Sequence, residues 1–373
     1  MAWDAIILGC GTMGSAAAYE LSRTGRRVLA LDRAAPPHDL GSHHGRVRMF
    51  RTSYYEHPAY IPWLRRSLDA WRSMGSQFGA PLIETCGALY MGRPDSELIS
   101  GCLLAIETHG LEHERLTSAE LRARFPLFDL PADYVGLLEK DAGFIYCERA
   151  VEAMIALAKR RGAEVRPNAA ALTWKSDGER VLVRTHSGEH AAKNLVICAG
   201  AWAGEVLRDI GIRLEVTRQV QGWLTPADPG PFLRLPCWAI DPGDGSLFYG
   251  FPALSLDGAA EVKLARHAPS TPTTAAGVDR SARADEAEDF MPLVRRYLPS
   301  LAAAPVRTSV CLYTNSPDGH YLIDRHPRHA NVVFGAGFSG HGFKAAPAVA
   351  ELIGSLLQRH DHPEPFFALS RLT

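Results

Sequence analysis

At 373 residues the chain can bury a large core, and at roughly 100–200 residues per domain this length implies two or three domains. Apolar residues at 46% and charged ones at 22% exclude a disordered or fibrous chain. A formal net charge of -1 leaves no overall field to gather nucleic acid or an anionic membrane, so recognition is expected in a local pocket suited to a small ligand. Cys10, Cys86, Cys102, Cys147, Cys198, Cys237 and Cys311 lack CxxC spacing, which argues against a zinc site or a small disulfide scaffold and suits a reducing cytoplasm. The start, Met1-Ala2-Trp3-Asp4, has no basic region of the kind that opens a signal peptide. No uninterrupted apolar run reaches the length of a membrane span.

In chain order, Ala5 to Leu8 reads as a short buried strand, and Gly9-Cys10-Gly11-Thr12-Met13-Gly14 follows it at once. Ser15 to Arg23 has helical spacing, with Ala17, Ala18 and Leu21 on one face, and Thr24-Gly25 stops it. A second strand, Arg27 to Leu31, ends at Asp32. Strand, glycine turn, helix and strand, with an acid about 20 residues past the glycines, make the arrangement that dinucleotide binding requires. Gly9 allows the tight turn, Gly11 lets backbone approach a pyrophosphate, Gly14 lets helix and strand pack closely, and Asp32 can accept from a ribose hydroxyl.

Further along, a helix over Ala150 to Arg161 precedes a strand at Ala163 to Arg166, and a strand pair ends at Leu195 to Gly200. Asn331 to Gly337 reads as a strand entering a glycine-rich turn, followed by an apolar helix over Pro347 to Leu357. Cys86 to Asp141 and Arg218 to Thr314 read as strand-rich, with Ser246 to Phe251 and Val262 to Ala265 as examples, while Ser270 to Asp279 reads as a loop. The expected fold is α/β. A Rossmann-like domain with a parallel sheet comprises residues 1–85, 142–217 and 315–373, and a mixed or antiparallel sheet domain for substrate comprises 86–141 and 218–314.

The glycine turn alone does not separate FAD from NAD. Other segments are more specific: Gly41-Ser42-His43-His44-Gly45-Arg46-Val47-Arg48-Met49-Phe50-Arg51, Gly200-Ala201-Trp202, Arg218-Gln219, Tyr249-Gly250-Phe251-Pro252, Lys263 to His267, Cys311-Leu312-Tyr313 and Gly337-Phe338-Ser339-Gly340-His341-Gly342-Phe343-Lys344. With these in order over nearly the whole length, the chain resembles the monomeric sarcosine oxidase and N-methyltryptophan oxidase family of FAD enzymes, whose relatives include oxidases of pipecolate and other cyclic imino acids.

The resemblance implies FAD held covalently through Cys311, with Gly9, Gly11, Gly14, Asp32, Ser42, His43, His44, Arg48, Val165, Gly200, Trp202, Gly337, Gly340 and Lys344 around it. It implies Arg51 and Lys344 at the substrate carboxylate, and the chemistry agrees: Arg offers a planar fork and Lys a point charge. Tyr249, His267 and Tyr313 are implied to line the substrate cavity, and Lys263 to activate dioxygen by stabilising the charge that develops on it. His341 and Phe343 are read as turn and packing residues. The implied reaction takes a hydride from the carbon beside the nitrogen of a small secondary amino acid and yields an aldehyde, a primary amino acid and hydrogen peroxide. A cytoplasmic monomer is expected, with no metal, nucleic acid or membrane partner.

Arg46-Val47 and Tyr54-Tyr55-Glu56-His57-Pro58 depart from the family pattern and leave substrate size open, as do Trp223, Trp238 and the segment Leu254 to Ala260. Three other readings stay open at this point. They are an oxidase of a cyclic secondary amino acid, a flavin dehydrogenase that passes electrons to a carrier, and a nucleotide-binding module without turnover. Metalloprotease and serine hydrolase chemistry find no HExxH or GxSxG pattern to support them.

Overall fold

The computed structural model describes residues 3–255, 258–267, 271–281, 283, 285–359 and 361–372. Leu256 and Asp257 of the segment after Leu254, and Ser270 of the expected loop, lie outside them.

The apolar run Trp3–Leu8 becomes the middle of a sheet because neighbours cover both its faces. It pairs in parallel with Val28–Leu31 on one side and with Gly188–Ile197 on the other. Glu164–Arg166 extends the sheet in parallel beyond Val28–Leu31, and His329–Ala336 pairs in parallel with the end of Gly188–Ile197. Antiparallel strands Ala171–Ser176, Val181–Thr185 and Leu322–His326 complete the eight. Helices Thr12–Arg23, Cys147–Arg160 and Ala346–Leu356 lie on one face, where Ala17, Leu21, Val151, Met154, Val349 and Ile353 form a core with Ile7, Val28 and Ala30. Ile6, Leu8, Leu29 and Leu31 point to the opposite face and a separate core, as the period of two in a strand demands.

A second sheet of nine strands has Val306–Asn315 at one edge, paired antiparallel over ten residues with Glu215–Leu224, whose other side pairs with Glu261–His267. Leu247–Leu254, Cys237–Ile240, Ala88–Gly92 and Val135–Glu139 continue it. Glu215–Leu224 begins three residues before position 218, where the second stretch of this domain is expected to start. A small third sheet, Val47–Phe50 with Gly143–Tyr146 and Ile83–Thr85, lies where the chain passes between the two larger ones.

The stretch from Cys86 to Asp141 is less strand-like than expected. It includes helices Glu97–His109 and Ser118–Arg124, the second started by a reciprocal Thr117–Glu120 capping box. Pro272–Thr273, expected in a loop, adds a short strand to Val216–Thr217. Among the described residues, no helix is long and apolar enough to cross a membrane.

Candidate active site

Leu8, Leu31, Cys198 and Ala336, at or just past the carboxyl ends of four parallel strands, border one cavity of about 1300 Å³ that is partly open to solvent. Open α/β sheets place ligands at this edge. Gly9 has a left-handed φ of 87°, and a Cβ there would run into the carbonyl oxygen of Cys198. A Cβ on Gly14 would run into the carbonyl oxygen of Gly9. The turn therefore needs both glycines. The helix that follows has neither a side-chain cap nor an acid in its first turn, so its leading N–H groups and dipole are left for an anion.

Asp32 is buried at the cavity edge, where its carboxylate accepts from the Cys10 N–H at 2.6 Å and the Ala34 N–H at 3.0 Å and lies 3.1 Å from His38 Nε2. Burial alone would raise its carboxyl, but the hydrogen bonds from His38, Ala34 and Cys10 outweigh that and hold it below the usual range. A turn without side chains, an uncapped helix start and an ionised acid fit the pyrophosphate and ribose of a dinucleotide.

Gly11, Ser42, His43, Arg48, Gly200, Trp202, Cys311, Gly337 and Gly340, which the resemblance puts around the cofactor, line the same cavity. Burial pushes His43 down to about 4, so its ring is neutral, and its Nε2 accepts from the His38 N–H at 3.1 Å. Arg33 lies 3.9 Å from the centroid of the Trp202 ring. Cys311 is buried, and its Sγ is 3.6 Å from Nη2 of Arg48, which also donates to the Ser42 carbonyl at 3.1 Å.

Val165 stands apart from these residues. It does not line the cavity, because its side chain packs against the core under the helices; Ala170 and Ala171 supply the wall nearby. His44 is also outside the lining. It is buried with Nε2 unpartnered and is pushed down to about 3 by burial and by the charge of Arg48.

A second cavity of about 630 Å³ adjoins the first, sharing Arg48, Tyr313, Gly340 and Phe343. Arg51, Lys344, Tyr249 and His267 line it together with Tyr313, so five residues expected at the substrate meet in one chamber. Lys344 lines this cavity and not the first. Met49, Tyr55, Glu56, Tyr90, Leu98, Ala239 and Leu247 add to the wall. His341 and Phe343, read as turn and packing residues, also face the chamber. Trp238 lies in a separate core instead, and Trp223 covers Lys263.

Charge is concentrated here. Arg51 Nη2 donates to Glu56 Oε1 at 2.5 Å, and its guanidinium lies 4.3 Å from the Tyr54 ring centroid. Burial alone would raise Glu56, yet Arg51, His341 and Lys344 hold it at about 2. Lys344 Nζ donates to the His341 carbonyl at 2.9 Å and is pushed down to about 7 by burial and by the charge of Arg51. His267 Nδ1 is 3.1 Å from the Tyr313 hydroxyl, and burial lowers its pKa.

Lys263 borders neither cavity. It is buried against the loop Gly45 to Val47, donating to the carbonyls of Gly45 at 2.6 Å and Val47 at 2.7 Å, with Trp223 and Phe251 beside it. Burial, with the charge of Arg48, pushes its ammonium well below the usual lysine range. The N–H side of that loop is held by Glu148, whose Oε1 accepts from Gly45 at 2.7 Å and Arg46 at 3.1 Å. Arg46 has a φ of 69° and pairs with Glu261 at 2.7 Å.

Glu139 has a parallel role on the chamber side. It is buried and accepts from the Thr52 and Ser53 N–H groups at 2.8 and 3.0 Å, from the Thr52 hydroxyl, and from the Tyr90 hydroxyl at 2.7 Å. Sequence reasoning missed Glu139 and Glu148, because nothing local marks a carboxylate whose partners lie 87 or 103 residues away. The described residues also include a possible metal-ligating group, Asp209, His326 and His329. It lies at the opposite end of strand His329–Ala336 from the cavity, and Arg328 already donates to Asp209.

A cavity fit for a dinucleotide, joined to a smaller chamber lined by cations and phenols, is the arrangement of an oxidoreductase site. The model for the FAD-dependent oxidoreductase family matches residues 4–356, and the chain belongs to that family. It is 38% identical to a monomeric sarcosine oxidase of Streptomyces avermitilis, over 95% of this chain and 93% of that one. It is 30% identical to an N-methyl-L-tryptophan oxidase of Yersinia pestis over the full length of both. Among solved structures the fold matches NikD, an unusual amino acid oxidase, with a TM-score of 0.85 and 22% identity over 98% of this chain and 97% of that one.

Proposed function

We propose that the protein oxidises a small secondary, N-methyl amino acid at the carbon beside its nitrogen: amine, dioxygen and water give a primary amino acid, formaldehyde and hydrogen peroxide. The observation that carries this reading is the pair of joined cavities, the second holding Arg51 and Lys344 about a space fit for one carboxylate. Bound FAD supplies a ring that accepts the hydride and passes the electrons to dioxygen.

Arg51 takes the carboxylate in its fork, sharing it with Glu56 or releasing Glu56, and Lys344 adds the second positive charge. Arg48, Arg51 and Lys344 together disfavour a charged ammonium on the substrate, so the amine enters neutral with its lone pair free. Tyr249, Tyr313 and His267 fix the nitrogen, and neutral His267 accepts its proton. Tyr55, Leu98 and Leu247 exclude water from the reacting carbon. Lys263, held on two carbonyls of the Gly45–Val47 loop behind the cavities, supplies positive charge that stabilises the charge building on oxygen.

Cys311 is proposed as the covalent anchor, supported by its buried place in the cavity wall beside the Arg48 guanidinium. Acid precipitation then leaves yellow colour with the protein, and Cys311→Ala releases it; colour in the supernatant of the unmodified protein refutes the anchor. A panel of N-methyl and cyclic amino acids, read by peroxide and formaldehyde together, tests the substrate. Both products from an N-methyl amino acid support the reading, peroxide alone from a cyclic one reassigns the substrate to a ring oxidised in place, and no peroxide from any member refutes it.

A further inference from the structure

Two cysteines that neither cavity uses stand together. The Sγ atoms of Cys86 and Cys237 are 3.8 Å apart although 151 residues separate them in the chain. Cys86 follows strand Ile83–Thr85 of the small sheet, and Gly87, with a φ of 81°, turns the chain into Ala88–Gly92 of the nine-stranded sheet. Cys237 opens the parallel neighbour, opposite Ala88, and its N–H donates to the Gly87 carbonyl at 3.0 Å. Backbone pairing therefore holds the two thiols in register. Of the seven cysteines only Cys86 is not buried, so one member of the pair is open to a small oxidant and the other lies behind it.

We propose that Cys86 and Cys237 form a dithiol that hydrogen peroxide converts to a disulfide, Cys86 reacting first and Cys237 resolving. The oxidant's source rests on the oxidase reading above; the reactivity of the pair does not. In the first step the Cys86 sulfur attacks peroxide: an S–O bond forms, the O–O bond breaks, and the departing hydroxide takes the thiol proton as water. In the second the Cys237 sulfur attacks the sulfenic sulfur: the S–S bond forms, the S–O bond breaks, and a second water leaves with the Cys237 proton. Two thiols lose two electrons to one peroxide, giving one disulfide and two waters.

The electrostatics run the same way. A hydrogen bond from the Cys237 thiol lowers Cys86, whereas burial pushes the thiols of Cys237, Cys10, Cys102, Cys147 and Cys198 up. A thiol that ionises more readily and is reachable is the one peroxide attacks. Cys237 lies two residues before Ala239, and Cys86 four before Tyr90, both of which border the substrate chamber, so the link would tie together the two strands that form that wall.

The test treats the holoenzyme with a few equivalents of hydrogen peroxide, quenches in acid, alkylates the denatured chain and maps peptides without reduction. The expected result is a Cys86–Cys237 linked peptide, two alkylatable thiols lost per chain, and their recovery with dithiothreitol. In Cys237→Ser the oxidised Cys86 is trapped by dimedone instead, and in Cys86→Ser Cys237 stays alkylatable. Absence of the linked peptide, or a Cys86 sulfinic acid beside a free Cys237 in the unmodified chain, overturns the dithiol. A parallel arm runs turnover with an N-methyl amino acid, with and without catalase. Linkage that catalase prevents supports the enzyme's own peroxide as oxidant, and peroxide release without linkage overturns that part. Failure to release peroxide refutes the oxidase reading and leaves the added-peroxide result standing by itself.

Discussion

Burial and the charge of Arg51 set Lys344 at about 7, and its effect on ligand binding has a definite sign. Below about 7 it is an ammonium and attracts a carboxylate; above that it is neutral and does not. Glu56 at about 2 and His341 at about 3 keep their charge states through this window. Acetate, which has no amine to titrate, should therefore bind roughly tenfold more weakly at pH 8.5 than at pH 6, read from the flavin spectrum. Lys344→Met should bind weakly at both and show no step. A step unchanged in that variant would assign the titration elsewhere.

Lys263 makes the other residue-level prediction. Lys263→Met should slow the oxygen half-reaction by roughly 100-fold or more, the scale of losing one preorganised charge, with the anaerobic amine half-reaction largely kept. Glu148→Gln, which keeps the shape but weakens the grip on the N–H groups of Gly45 and Arg46, should slow the same half-reaction less. Equal losses in both half-reactions would contradict the role given to Lys263.

At the scale of elements, the loop from Arg51 to Ser53 depends on a carboxylate from the other sheet. Glu139 sits at the end of Val135–Glu139, and Glu139→Ala would leave the N–H groups of Thr52 and Ser53 and the Tyr90 hydroxyl without their buried acceptor. At about 1–3 kcal/mol for each orphaned donor, the loss should be about 3 kcal/mol or more, seen as a lower denaturant midpoint with an unchanged slope. A shift below about 1 kcal/mol would show that water replaces the carboxylate.

The elements that sequence makes legible are those with local causes. Gly9, Gly14 and Asp32 are readable because a turn, a helix start and a strand end each act within a few residues of one another. The helix Ile61–Phe78 is hard to read from sequence, since a proline such as Pro62 ordinarily signals a break although it is tolerated in a first turn. Helices Glu97–His109 and Ser118–Arg124 lie inside the stretch from Cys86 to Asp141 that reads as strand-rich, because short apolar stretches such as Leu103-Leu104-Ala105-Ile106 suit either period. The clamps formed by Glu139 and Glu148 exist only once distant segments meet, so no window of sequence contains them.

For the whole molecule, the arrangement is two sheets meeting at one place. The parallel sheet presents its strand ends and an uncapped helix to a dinucleotide, and the strand Val306–Asn315 brings Cys311 and Tyr313 to the same cavity from the other side. The resemblance names most of these residues, and the packing sets Val165 and Lys344 outside the lining of the larger cavity. The most direct measurement is anaerobic mixing of the yellow holoenzyme with an N-methyl amino acid, followed by air. The account predicts bleaching on mixing, return of colour with oxygen, and one hydrogen peroxide and one formaldehyde per amine consumed. No bleaching with any N-methyl or cyclic amino acid would contradict it.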